Sequence, residues 1–267
     1  VLTGTLNHIG NGSITLTAAR VGSESMPLLL NVDNSASAIQ LTTTGYNGGL
    51  DSDNSASVYI HLMNPTINGI TQPIYTSQLS IQTVANASDR VRISTSGTVV
   101  VDQDVDLVNS DSDQVSLFVQ NGSIQFNGDL TMNHHFDAFA QAGSIQFNSG
   151  STLTMLSGDL HLEGISATSA GIIMSNAHII SAQGNIELDG RNTAASTESA
   201  PGIVLQGESS IVATGSAGLH QSIRMMGVST NSLAAIGIVG SRISNVNGDI
   251  SMAALNANPD YDVGVDS

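Results

Sequence analysis

Three aspartates, Asp102, Asp104 and Asp106, alternate with Val101, Gln103, Val105 and Leu107. In an extended strand alternate side chains share a face at intervals of about 6.6 Å. The run therefore predicts an outward acidic face, either solvated or lining an acid-dependent site, but no base, nucleophile or fixed metal spacing accompanies it. Tyr46, Tyr59 and Tyr75 are the candidates for ligand contact, because each ring offers apolar area with one polar handle. The segments Asp51-Ser52-Asp53-Asn54 and Asp111-Ser112-Asp113 have alternating oxygen ligands that could hold Ca²⁺ weakly. Neither completes a twelve-residue calcium loop, and Asx turns explain both more simply. His134-His135 with Asp129 and Asp137 is the densest group of metal-ligand types, yet adjacent strand side chains face opposite ways, which makes joint chelation awkward. His61, His161 and His220 have no ligand partner close in sequence. No cofactor is expected, and no catalytic or metal set is assigned.

The elements that must position these residues are short strands. Apolar and polar residues alternate in Ser13-Ile14-Thr15-Leu16-Thr17, Ala38-Ile39-Gln40-Leu41-Thr42, Ser80-Ile81-Gln82-Thr83-Val84 and Val91-Arg92-Ile93-Ser94, with Gly, Asn or Ser between runs. This is the period of two of a half-buried strand. The sextet GSIQFN occurs at Gly122 to Asn127 and again at Gly143 to Asn148, a step of 21 residues. Repetition at a fixed step is the mark of a structure whose coils lie on one another. Ile124 and Phe126 should lie inward over Ile145 and Phe147, Gln125 outward over Gln146, and Asn127 over Asn148 as a structural amide ladder. Leu130 answers Leu153 after a slightly longer turn.

Continued through Ile165, Ile186, Val204, Ile223 and Ile243, the step predicts coils of about 20 residues with two or three strands each. The fold class is all-β, a parallel β-helix or β-solenoid, with roughly 12 or 13 coils in a rod on the order of 60 Å long. A β-sandwich also has short alternating strands, but it gives no reason for an identical sextet at a fixed step. The chain reads as a single β-helix over 1–257 with lateral loops near 44–54 and 63–73. Residues 258–267 form a C-terminal cap, linker or frayed tail.

Composition limits the function. Among 267 residues there are 6 Arg, no Lys and 22 acidic residues, for a formal charge of −16. Such a surface repels phosphate, which argues against nucleic acid as a partner. Charged residues are only 10% of the chain, so solubility rests on Ser, Thr, Asn, Gly and Gln. With no Cys there is no disulfide framework and no thiolate metal site, a composition compatible with export. No apolar stretch approaches the roughly 20 residues of a membrane span, so direct membrane insertion is not expected. The opening VLTGTLNHIG has neither an initiator Met nor a basic-then-apolar leader, as in a processed product or an excised fragment. Asn11, Asn86 and Asn121 each begin a three-residue N-glycosylation pattern that in a bacterial product is a plain turn.

NGSITLTA at Asn11 to Ala18, the pair NGSIQFNGDLTM and AGSIQFNSGSTLTM, and GDLHLEG and GNIELDG together resemble the filamentous haemagglutinin-like repeats of large secreted bacterial surface adhesins. The resemblance spans most of residues 11 to 252. It implies a right-handed parallel β-helix, an extracellular or bacterial cell-surface location, and an outer-membrane secretion transporter. Met63 to Ile70 is loosely similar to Asn-Pro and Asn-Gly-Ile turns of that family's secretion domain. The expected function is a non-catalytic structural and adhesive segment of a secreted surface protein, contacting a cell-surface glycan or protein receptor. Two alternatives stay open. One is a polysaccharide-degrading β-helix enzyme using carboxylates on one face, for which there is no Lys and no Trp platform. The other is an extracellular filament subunit that contacts neighbouring copies.

Overall fold

A computed structural model describes residues 1–8, 12–32, 38–45, 56–83, 90–103, 106–108, 114–194, 200–215, 220–230 and 234–256. These residues form strands and a single 3₁₀ turn at Thr76–Gln78, and there is no α-helix among them. The coil carrying the first sextet shows how the chain closes. Gln114–Val119, Ile124–Phe126 and Leu130–Met132 lie on three different sheets, after which His135–Ala140 returns to pair with Gln114–Val119 in parallel. Each coil thus visits a broad face, a narrow face and a third face in turn.

The broad face is a 10-stranded sheet running from Gly4–His8 through Leu28–Val32, Val58–Met63, Arg90–Thr95 and Gln114–Val119 to Gly248–Asn256. The narrow face has 7 strands, from Ile74–Tyr75 to Ile236–Val239, and the third face is split into sheets of 4 and 5 strands. Every pairing in these four sheets is parallel and stacks coils in chain order, which defines a parallel β-helix. Among the described strands the one antiparallel pair is a hairpin, Thr66–Ile67 with Ile70–Thr71, inside the stretch read as a lateral loop at 63–73, and a lone antiparallel bridge joins Gly143 to Ile165. The hairpin's turn residues Asn68 and Gly69 both have positive φ, 52° and 78°, the combination that a two-residue primed turn needs.

Alternation along each strand sends one row of side chains inward, and stacking turns the rows into one continuous core from Ile14 to Met225. Ile124, Phe126, Ile145 and Phe147 are buried, and the rings of Phe126 and Phe147 stack with centroids 4.3 Å apart and planes 2° from parallel. Phe136 closes against Phe126 edge-on at 6.5 Å. At one corner Gly164, Gly190 and Gly227 lie in register. A Cβ on Gly190 would stand 2.3 Å from the Gly202 carbonyl oxygen, so the broad and narrow faces can meet this closely only without side chains.

The coil step differs from the expected constant value. It is 21 between Ile124 and Ile145, but 24 from Phe136 to Leu160, 26 from Leu160 to Ile186 and 37 from Ile186 to Ile223. The broad sheet therefore has 10 strands where a constant step would give roughly 12 or 13 coils, and it is roughly 43 Å deep. Ile165 is opposite Arg191, not Ile186, which lies between Leu160 and Ile223. The glycine corner decides this register, and extra residues accumulate between strands without changing which side chains face inward. In the last coil Ile250 and Met252 are 41% and 54% exposed, whereas Ile223 and Met225, their partners one coil earlier, are fully buried.

Candidate functional site: the outward broad face

The same alternation that fills the core sends a second set of residues outward, and the three faces differ in what they carry. On the broad face, parallel register builds one row Tyr59, Arg92, Ser116, Asp137, His161, Glu187, Arg224 and a neighbouring row His61, Ser94, Phe118, Phe139, Glu163, Asp189, Met226. The corresponding row of the narrow face is Tyr75, Val100, Gln125, Gln146, Ile173, Val204. That of the third face is Thr131, Thr154, Ile180, Val212, Ser244. Neither of these rows contains a charge, although a second third-face row, Thr152, His178, Ser210 and Arg242, ends in one. The ion pairs and the outward aromatic pair found among the described residues belong to the broad face.

A departure from regular winding gives that face its relief. Val21 bridges Val58, whereas Leu28 is opposite Ile60, so the segment Gly22–Pro27 leaves the sheet across from Tyr59. Ser23 and Met26 close it by exchanging backbone hydrogen bonds of 2.9 and 3.2 Å. Two adjoining hollows of about 400 and 280 Å³ lie beside this segment and share Glu24, Tyr59, Arg92 and Phe118 in their walls. The larger extends to Phe139, Asp137 and His161, the smaller to Pro27 and His61. Both are open troughs on the sheet surface, a shape suited to an extended ligand.

The aromatic part is continuous. Phe118 and Phe139 are half-buried, with centroids 5.3 Å apart and planes tilted by 40°. The Arg92 guanidinium lies 5.4 Å above the Phe118 ring, and that of Arg20 lies 5.6 Å above the Tyr59 ring. Both distances are within cation–π range. Arg92 also meets Glu24 at 3.5 Å, but both side chains are exposed, so solvent screens the pair. Arg90 lines the larger hollow, and no described carboxylate comes within ion-pair distance of it. The Nε of Arg20 is buried and finds no hydrogen-bond partner among the described residues.

Farther along the face the carboxylates are engaged. Asp137 accepts from the Gln114 amide and lies 3.9 Å from His161. Arg191 donates a fork to Asp189 at 3.2 and 2.9 Å and approaches Glu163 at 3.6 Å. The hydrogen bond to Asp189 is the main cause that raises the guanidinium pKa, against the opposing effect of burial. Glu187 is bound by Arg224 at 2.7 Å. His61, hydrogen-bonded to Ser94 at 3.0 Å, has its pKa lowered by burial, which favours the neutral imidazole.

Of the residues singled out from sequence, Tyr59 forms part of this site, with only 5% of its surface exposed. Tyr75 lies on the narrow face opposite Val100, and Tyr46 falls outside the described residues. Asp102 and Asp106 do not share a strand, contrary to the reading of an acidic row. The narrow-face strand ends at Val101 and a new one starts at Asp106 on the third face, because the chain turns a corner between them. Asp102 binds the 3₁₀ turn, accepting from the Ser77 N–H at 2.9 Å and its hydroxyl at 2.7 Å. Asp104 and both Asp/Ser segments considered for Ca²⁺ lie outside the described residues.

Asn148 donates its amide to Asn127, linking adjacent coils. The His134-His135 group is dispersed. His135 accepts from the Asp159 N–H at 3.0 Å, and Asp129 accepts from the Thr152 N–H at 2.9 Å. Among the described residues no three metal-ligand side chains converge. Sequence reasoning missed Arg20, Glu24, Arg90, Arg92 and Phe118. Two signals were available: three of only 6 arginines are Arg20, Arg90 and Arg92, and Phe118 precedes Phe139 by the repeat step.

Together these features define the class as a parallel β-helix with one chemically differentiated face. Comparison with protein-family models, curated proteins and solved structures finds no match to this chain.

Proposed function

We propose that this chain is a non-catalytic structural and adhesive segment of a secreted bacterial surface protein, and that the outward broad face is its contact surface for a cell-surface ligand. One observation carries the reading. The aromatic pair, Arg90 and Arg92, and two adjoining hollows collect on a single face, which also holds the ion pairs found among the described residues. A rigid stack presents such a face without a conformational change, which reduces the ordering cost of binding. The resemblance of the GSIQFN, GDLHLEG and GNIELDG repeats to filamentous haemagglutinin-like adhesins supports the same location and role. In that setting an outer-membrane transporter delivers the chain.

Glycan cleavage draws less support from the geometry. It needs one acid to donate and another to attack or activate water. Here Asp137, Glu163, Glu187 and Asp189 are each engaged by an arginine, a histidine or an amide. The test is attachment of the folded chain to glycan arrays and to intact host and bacterial cells. The expected result is saturable binding that Phe118→Ala together with Arg92→Gln removes. No attachment by a chain with native strand content would restrict it to a spacer.

A further inference from the structure

The geometry points to a ligand class. We propose that the hollow between the Gly22–Pro27 segment and the Phe118–Phe139 pair binds a carboxylated saccharide, such as a sialic or uronic acid unit of a longer glycan. This rests on the broad face being the contact surface and adds what that surface selects.

The charge distribution carries the first half of the inference. A chain with a formal charge of −16 repels anions over most of its surface, so an anionic ligand needs a local site of opposite sign. Three of the 6 basic side chains, Arg20, Arg90 and Arg92, gather where the Gly22–Pro27 segment overhangs the sheet. Glu24 is the one described carboxylate ion-paired with any of them, and that pair is solvent-exposed. Arg90 therefore brings guanidinium donors that no described carboxylate engages, and Arg92 keeps donors beyond its single contact with Glu24. A guanidinium fork matches a carboxylate in geometry and charge.

The aromatic pair carries the second half. Phe118 and Phe139 present half-buried rings one coil apart, so a pyranose ring can lay its C–H face on them while its acid group reaches Arg90 and Arg92. The volume, about 400 Å³, lies in the range of small-ligand sites, and the open ends let a glycan chain continue along the rod. The trough is also polar along its length. Arginines stand at the Gly22–Pro27 end and Asp137 and Glu163 at the other, which orients the carboxylate toward the arginines and hydroxyl groups toward the acids.

Titration of the folded chain, followed by calorimetry and ligand-observed NMR, tests this with 3′-sialyllactose against lactose and tetragalacturonate against its methyl ester. The expected result is that at least one acidic probe binds about tenfold or more tightly than its uncharged counterpart. That preference shrinks as NaCl rises from about 0.05 to 0.5 M. The acidic probe that binds identifies the source of the carboxylate. Arg92→Gln and Arg90→Gln should abolish the preference, Phe118→Ala should weaken both members of a pair, and Arg242→Gln, on the third face, should change neither. Equal binding of charged and neutral probes through Phe118 would overturn the carboxylate inference and leave the adhesive face standing. Failure of every saccharide while the chain still attaches to cells would overturn it in favour of a protein receptor. Failure of attachment as well would overturn the adhesive reading itself.

Discussion

Two pairs of phenylalanines occupy the same two coils at the same spacing, and they have opposite fates. Phe126 and Phe147 lie inside, buried and parallel at 4.3 Å, within the identical sextets. Phe118 and Phe139 lie outside, half-buried and tilted at 5.3 Å, flanked by unlike residues: Ser116 faces Asp137 and Gln114 faces His135. Repetition serves the interior because a stacked core rewards the same shape at each level. The outward row is released from that demand and can vary coil by coil. In this molecule sameness marks scaffold, and difference across coils marks the face where recognition chemistry collects.

The sharpest way to break the comparison is to truncate each ring. Phe126→Ala should cost about 3 to 5 kcal/mol, because it removes a large buried ring and leaves a cavity in a continuous core. Phe118→Ala should cost no more than about 1 kcal/mol yet remove ligand attachment. Urea denaturation followed by circular dichroism measures the first difference, and binding measures the second. Equal destabilisation by the two changes would mean that the outer pair is core after all.

The glycine corner tests the scaffold at a position where the limit is backbone approach. Gly190→Ala should destabilise by about 1 to 3 kcal/mol, since its Cβ would meet the Gly202 carbonyl oxygen at 2.3 Å. Gly69→Ala, in the hairpin turn, has no neighbour within 4 Å and bears only the penalty of a positive φ, about 1 kcal/mol. Thermal melts should rank the first variant below the second.

Smaller effects separate the ladder from the outward face. Asn148→Ala loses the amide bond to Asn127 at an exposed position and should cost about 0.5 to 1 kcal/mol by urea denaturation. His61 contributes a pH dependence of known sign. Burial lowers its pKa below the ordinary value of about 6.5, so the unfolded chain takes up a proton more readily. Its contribution to stability is complete above about pH 6.5 and falls as pH drops from there through the lowered folded value. Replacing His61 by Asn should flatten that part of the curve of unfolding free energy against pH. A curve unchanged by the substitution would place the proton uptake elsewhere.

The strand period, the inward placement of Ile124, Phe126, Ile145 and Phe147, and the stacking of Leu130 on Leu153 were legible because they depend on local alternation and a short step. Coil number was not. The step from one broad-face strand to the next grows from 24 residues between Phe136 and Leu160 to 37 between Ile186 and Ile223 without altering the faces, so a period of two cannot count the coils. The acidic run was misread for a related reason: alternation over Asp102 to Asp106 continues through a corner that only winding reveals.

Residue order alone was enough to dictate a stack of parallel coils with an aliphatic interior, since each strand needs a buried side and an identical neighbour supplies it. The meeting of Tyr59 with Arg92, 33 residues on, of Glu24 with Arg92, and of Arg92 with the Phe118 ring was decided by tertiary structure. Those contacts depend on how much chain each corner absorbs and on where the Gly22–Pro27 segment leaves the sheet. Path length through a turn is nearly free in energy, so local pattern leaves it open and only the closed register of the whole stack fixes it.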